Sequence, residues 1–132
     1  MRFLLDTHVW IWGHLRPERV RQDVSEVLGA ADNELWLSPV SVWEALLLIE
    51  RGRIEVDTRA PEWIREALEA APMKEASMNH EVAIRSRTVD LPHRDLADRF
   101  LAATAEIYAL TLVTEDERLL TGRSWRVLSN RG

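Results

Sequence analysis

The chain contains no cysteine. That excludes a thiol nucleophile, a Cys-ligated zinc and a disulfide framework, and it suits a reducing compartment. Lysine is nearly absent too: Lys74 is alone, and every other one of the 17 basic residues is arginine. No apolar run approaches the roughly 18 residues of a membrane helix. The N-terminal apolar stretch is cut short by Asp6, so it does not read as a signal peptide. A cytoplasmic protein that engages no membrane is expected. Positive charge is also in deficit, with a formal net charge of −5. This argues against a simple basic nucleic-acid binder but leaves room for an enzyme whose acidic centre holds metal.

What is present suits one domain, residues 1–132. A chain of this length buries about two thirds of its unfolded surface and needs no staple. Residues 2–5, 34–37, 111–114 and 125–128 read as strands. Helices are expected over 7–14, from Pro17 through the Val20, Val24, Val27 and Leu28 face, over 38–51 with Gly52 as its stop, over 61–71, 79–88 and 95–109. Alternating strands and helices imply an α/β fold with a mainly parallel sheet. In such sheets ligands bind beyond the carboxyl ends of the strands. Asp6 directly follows the first strand, and Asp116 follows the strand 111–114 within two residues.

Four acids stand out, each with a plainer reading. Asp6 suits a helix cap. Glu44 lies three residues after Ser41, the capping-box spacing. Asp98 suits the first turn of a helix, where its charge complements the dipole. Asp116 suits a turn. As a set they are harder to set aside, because each sits where the chain is otherwise burying itself. Converging carboxylates repel and raise one another's pKa, and a divalent cation reverses that. Magnesium suits such oxygen ligands together with a substrate phosphate. Asp95, after Pro92-His93-Arg94, reads as the cap of the helix carrying Asp98, with its oxygen on the N–H of Ala97 or Asp98.

The other motifs carry less. His8, His14, His80 and His93 show no paired ligand spacing. The kinase-like His93-Arg94-Asp95-Leu96 lacks a Gly-rich loop and the required asparagine. A receiver domain would need paired acids after the first strand and a late lysine. An aspartyl phosphatase would need a second acid where His8 stands. The tryptophans read mainly as packing, with Trp10, Trp12 and Trp43 close enough to the acids to stack on bases. Trp36, Trp43, Trp63 and Leu46-Leu47-Leu48-Ile49 give more apolar surface than one helix face uses, which points to a partner.

The blocks LLDTHVWIW, LSPVSVWEALLLIERGRI, LPHRDLADRFLAATA and LVTEDERL, in this order, resemble the PIN-domain family, and more narrowly its VapC-type ribonuclease toxins. The resemblance spans nearly the whole chain. It implies a three-layer fold, a parallel sheet between helices, and a metal-dependent endoribonuclease using Mg²⁺ or Mn²⁺. It implies that Asp6, Glu44, Asp98 and Asp116 surround the metal, and that Thr7 and Thr114 support them. It also implies RNA as substrate, a homodimer, and a small VapB-like antitoxin. Leu96-Ala97 stands where relatives often have Pro-Phe, and Leu46–Ile49 lacks a lysine many relatives carry. A non-catalytic subunit that keeps this fold for protein contacts is the alternative.

Overall fold

Five parallel strands form the centre of the protein in a computed structural model that describes residues 1–92, 94–121 and 124–131. These are β1 (Arg2–Leu5), β2 (Glu34–Leu37), β3 (Lys74–Glu75), β4 (Thr111–Thr114) and β5 (Arg126–Ser129), lying side by side in the order β3-β2-β1-β4-β5. The helices are α1 (Thr7–Leu15), α2 (Gln22–Gly29), α3 (Pro39–Glu50), α4 (Ala60–Ala70), α5 (His80–Ser86), α6 (Leu96–Ile107) and the single turn α7 (Glu117–Leu120).

The strand residues alternate between two cores, as a pleated strand requires. Leu4, Leu112 and Val127 face one core with Val82 of α5, Leu101 and Ala102 of α6 and Leu119 of α7. Phe3, Leu5, Leu37, Val113 and Leu128 face the other, with Trp10 of α1, Val24 of α2, Ala45 of α3 and Trp63 of α4. The result is the three-layer α/β arrangement expected of the sequence. Each buried Leu or Val contributes about 1.5–3 kcal/mol, and β1 and β4 are covered on both faces.

This topology opens a crevice at one end of the sheet. β1 and β4 are neighbours, and both point the same way. The chain leaving β1 enters α1 and packs on one face, while the chain leaving β4 enters α7 and packs on the other. Adjacent parallel strands whose connections diverge to opposite faces leave a gap at their carboxyl ends.

Three elements differ from expectation, the first being α7, which stands where Asp116 suited only a turn. The helix opening at Pro17 is a 3₁₀ turn over Pro17–Arg19, broken before α2. The side chain of Asn130, far away in sequence, accounts for the break. Its Oδ1 accepts from Arg21 N–H at 2.8 Å and its Nδ2 donates to the Arg19 carbonyl at 3.0 Å. Those backbone groups are thereby satisfied outside a helix. The two-residue edge strand β3, with both side chains exposed, carries no alternating pattern to read. Among the described residues, no helix is long and apolar enough to cross a membrane.

Candidate active site

The crevice holds a cavity of about 340 Å³ lined by Asp6, His8, Glu44, Asp95, Asp98, Glu115, Asp116 and Arg118. All four acids singled out from the sequence reach it, delivered by four different parts of the chain.

Asp6 ends β1 and caps α1, so the cap reading and the site reading are both met. Its Oδ1 accepts from Thr7 N–H at 2.7 Å and its Oδ2 from the Thr114 hydroxyl at 2.6 Å. Thr114, the last residue of β4, also accepts from Asp116 N–H at 3.0 Å through the same oxygen. One buried hydroxyl thus ties the acid after β1 to the acid after β4. The Thr7 hydroxyl donates to Ser41 Oγ at 3.0 Å, fastening α1 to α3.

Glu44 comes from the middle of α3. The capping-box reading is overturned: Ser38 is the cap, accepting from Val40 N–H at 3.1 Å, with Pro39 at the first helical position. Ser41 lies inside the helix and is bonded to Thr7, which leaves Glu44 turned to the cavity.

Asp98 occupies the first turn of α6 and is 7% exposed. Asp95 caps that helix, its Oδ1 accepting from Asp98 N–H at 3.1 Å, as the spacing indicated. Asp95 also lines the cavity, which the sequence reading did not anticipate. Asp95→Ala is expected to cost about 0.5–2 kcal/mol through the lost cap. Asp95→Asn should keep the cap and hold stability to within about 0.5 kcal/mol of the parent. Thermal melts of the two variants check the pair, and equal losses would deny Asp95 its capping role.

Asp116 caps α7 through Arg118 N–H at 2.9 Å. The Arg118 guanidinium then reaches back over the cavity, with Nη2 at 3.1 Å from Asp116 Oδ2 and 3.3 Å from Asp98 Oδ2. It bridges acids from two elements.

Two of the carboxylates have raised pKa values. Burial, opposed by the Thr114 hydrogen bond and His8 and assisted by Glu44, lifts Asp6 to about 6. Burial, then the charges of Asp95, Asp6 and Asp116, lift Asp98 to about 8 against the pull of Arg118. Burial and like charge favour the protonated form of these two groups. A divalent ion would hold the same groups ionised, and the all-oxygen donor set is the chemistry Mg²⁺ or Mn²⁺ prefers. Among the described residues no three such ligands are yet drawn together closely enough to hold an ion. Arg118, on the same two acids, is one more lining residue of that space.

His8, Glu115 and Arg118 were missed as cavity residues. His8 had one signal, its place two residues after Asp6 in the same helical turn. His93 lies outside the described residues. Trp10 is packed in the core at 2% exposure and offers no stacking face. Of the apolar set expected to mark a partner, Trp63 is buried and Leu46, Leu48 and Ile49 pack on the core, while Trp43 stays 47% exposed. Trp43 shares a groove beside the acids with Leu96, itself 53% exposed.

Comparison with known proteins gives this geometry a context. Residues 3–121 match the PIN domain family model. Ribonuclease VapC22 of Mycobacterium tuberculosis is 32% identical over 123 residues, 91% of each chain. VapBC2 of Rickettsia felis, solved bound to a DNA fragment from its promoter, superposes with a TM-score of 0.73 at 12% identity, covering 98% of both chains. VapBC-5 of M. tuberculosis, a member of the VapBC family of toxin–antitoxin systems, superposes at 0.63 with 19% identity over 97% of this chain and 98% of that one. At such identities the two structures speak to the fold alone.

Proposed function

The chain belongs to the PIN domain family, and on that footing we propose that it is a metal-dependent endoribonuclease, the toxin of a type II toxin–antitoxin pair, hydrolysing RNA phosphodiester bonds. The observation that carries this reading is the convergence of Asp6, Glu44, Asp98 and Asp116 on one cavity at the carboxyl ends of β1 and β4. The similarity to a protein named a ribonuclease supports the choice of RNA.

In this reading Asp6, Glu44, Asp98 and Asp116 would hold Mg²⁺ or Mn²⁺, and the ion would supply Lewis-acid charge for phosphodiester hydrolysis. The protein's own groups do the rest. Thr114 holds Asp6 and the backbone of Asp116 in register. The Thr7–Ser41 bond fixes α1 against α3, and so the separation of Asp6 from Glu44. Arg118, withdrawn from the acids, is placed to meet the negative charge of the phosphate. The reading places the enzyme in the cytoplasm. The partner is a small VapB-like antitoxin, and the exposed Trp43–Leu96 groove is the surface proposed for a homodimer.

The test is cleavage of single-stranded RNA by the purified protein with Mn²⁺ and with excess EDTA. Cleavage should require the ion. Metal at a hundred times its dissociation constant should also stabilise the fold by about 2.7 kcal/mol, read as a higher melting temperature. Undiminished cleavage in EDTA would defeat the metal mechanism, and no cleavage under any condition would favour the non-catalytic alternative.

A further inference from the structure

A second polar pocket lies at the other end of α1. It measures about 530 Å³, and Trp12, Arg16, Arg19, Arg53 and Glu55 are among the residues that line it. The three arginines are exposed. Among the described residues none of them pairs with a carboxylate, whereas Arg2, Arg21, Arg85 and Arg118 all do. Arg19 instead lies over the Trp12 ring, its guanidinium carbon 4.4 Å from the centroid. Arg53 is brought there by Gly52, whose φ of +71° turns the chain sharply after α3. Arg53 N–H then closes onto the Leu48 carbonyl at 2.9 Å. A concentration of positive charge in a chain of net charge −5 calls for an anionic occupant.

The pocket is joined to the acid cavity by one stripe of α1. His8 and Trp12 are four residues apart and share a face of α1, and Arg16, the residue that ends the helix, follows one turn later with its N–H on the Trp12 carbonyl at 2.7 Å. His8 lines the acid cavity, its ring is 6.0 Å from that of Trp12, and Trp12 lines the arginine pocket. The stripe spans about 12 Å at the helical rise. A nucleic-acid strand whose scissile bond lies among the acids must continue somewhere, and the acids repel its flanking phosphates. Arginine forks suit phosphate oxygens, and aromatic and guanidinium planes suit unstacked bases.

We propose that the Arg16–Arg19–Arg53 pocket, with Trp12, is an RNA-backbone subsite that holds the strand flanking the cleaved bond. The proposal rests on the ribonuclease reading of the acid cavity and adds to it where the substrate runs. An acidic protein segment is the competing occupant. RNA is favoured because the stripe connects the pocket to the acid cavity and because the Trp12–Arg19 stack offers a flat surface that an acidic peptide does not require.

The test is fluorescence anisotropy of a single-stranded RNA of about twenty nucleotides, longer than one compact binding site, in EDTA so that binding is read without cleavage. The parent is compared with the triple variant Arg16→Ala, Arg19→Ala, Arg53→Ala. The control is Arg65→Ala, Arg87→Ala, Arg126→Ala, which changes net charge equally and touches neither pocket. The first triple should bind about tenfold or more weakly, with its salt slope reduced by about two for three lost phosphate contacts. The control should stay near the parent. Arg53→Ala alone, which leaves Arg19 on Trp12, should show a smaller loss of the same sign and guards against a folding artefact. Equal weakening in both triples would reduce the effect to net charge and overturn the subsite. So would unchanged RNA affinity, including the case where only binding of poly-glutamate is lost, which would assign the pocket to an acidic protein. If the parent cuts RNA with Mn²⁺ in either case, the ribonuclease reading survives. A parent that neither binds nor cuts RNA ends that reading and the subsite with it.

Discussion

Asp98→Asn is expected to lower RNA cleavage by at least about a hundredfold, no less than the upper end of what losing a group behind a metal ligand costs, while making the metal-free protein more resistant to heat at neutral pH. The two effects share one cause. Asp98 is buried near Asp95, Asp6 and Asp116, and its folded pKa is lifted from 3.8 to about 8. The folded state therefore binds a proton more tightly there than the unfolded chain does. The stability this contributes is fully present below about pH 4 and is lost as pH rises through about 8. Asp6, lifted to about 6, acts in the same direction over a narrower window. Metal-free parent protein should thus lose thermal stability across that interval. Asparagine is nearly isosteric and stays neutral, so Asp98→Asn should lose much less. At an Mn²⁺ concentration that saturates the parent the gap should close or invert, because the parent, binding more tightly, gains more from the ion. Melting curves from pH 4 to pH 9, with and without the ion, check the sign. A metal-free variant that melts below the parent at pH 8 would show that Asp98 is not the burden described.

Thr114→Val should have the next largest effect. Valine matches threonine in shape and suits a strand, but it is not a conservative change where the hydroxyl is bonded. Here one hydroxyl donates to Asp6 at 2.6 Å and accepts from Asp116 N–H at 3.0 Å. Thr114 is fully buried and Asp6 nearly so, so the stranded carboxylate has little access to replacement water. Unpaired buried groups of this kind cost roughly 1–3 kcal/mol. Asp6 also loses the bond that orients it, and support lost behind a metal ligand typically costs 10- to about 100-fold in affinity or activity. Thr114→Ser keeps the hydroxyl and should recover most of both. Denaturant melts and cleavage rates of the two variants decide it. Valine and serine variants of equal activity would show that the hydroxyl does not position Asp6.

The sequence revealed most where local pattern and tertiary role coincide. Leu4 and Leu112 alternate with Phe3, Leu5 and Val113 because β1 and β4 are buried on both faces, and the strands were legible from that. Asp6 and Asp116 were legible because each ends a strand, and a parallel sheet brings strand ends together. Asp98 was separable from Asp95 because a cap and the third helical position have different geometry. What escaped depends on distant partners. Asn130 breaks the helix at Arg19–Arg21 from the far end of the chain, and no local signal announces it. Arg118 carries no local signal, and only its reach back to Asp98 makes it part of the cavity. Ser41 offered a capping box on spacing alone, yet its hydroxyl is committed to Thr7. The apolar surplus was overcounted because Trp63 of α4 and Leu46, Leu48 and Ile49 of α3 pack into one core and Trp36 of β2 against the other, leaving Trp43 exposed.

Direct titration of Mn²⁺ into the metal-free protein, followed by the loss of the free-ion electron paramagnetic resonance signal, tests the central claim that the four acids form a cation site. The parent should bind at least one ion per chain saturably, while Asp6→Asn and Asp98→Asn should each weaken binding by at least about tenfold. Binding that is absent in the parent, or undiminished in both variants, would contradict it.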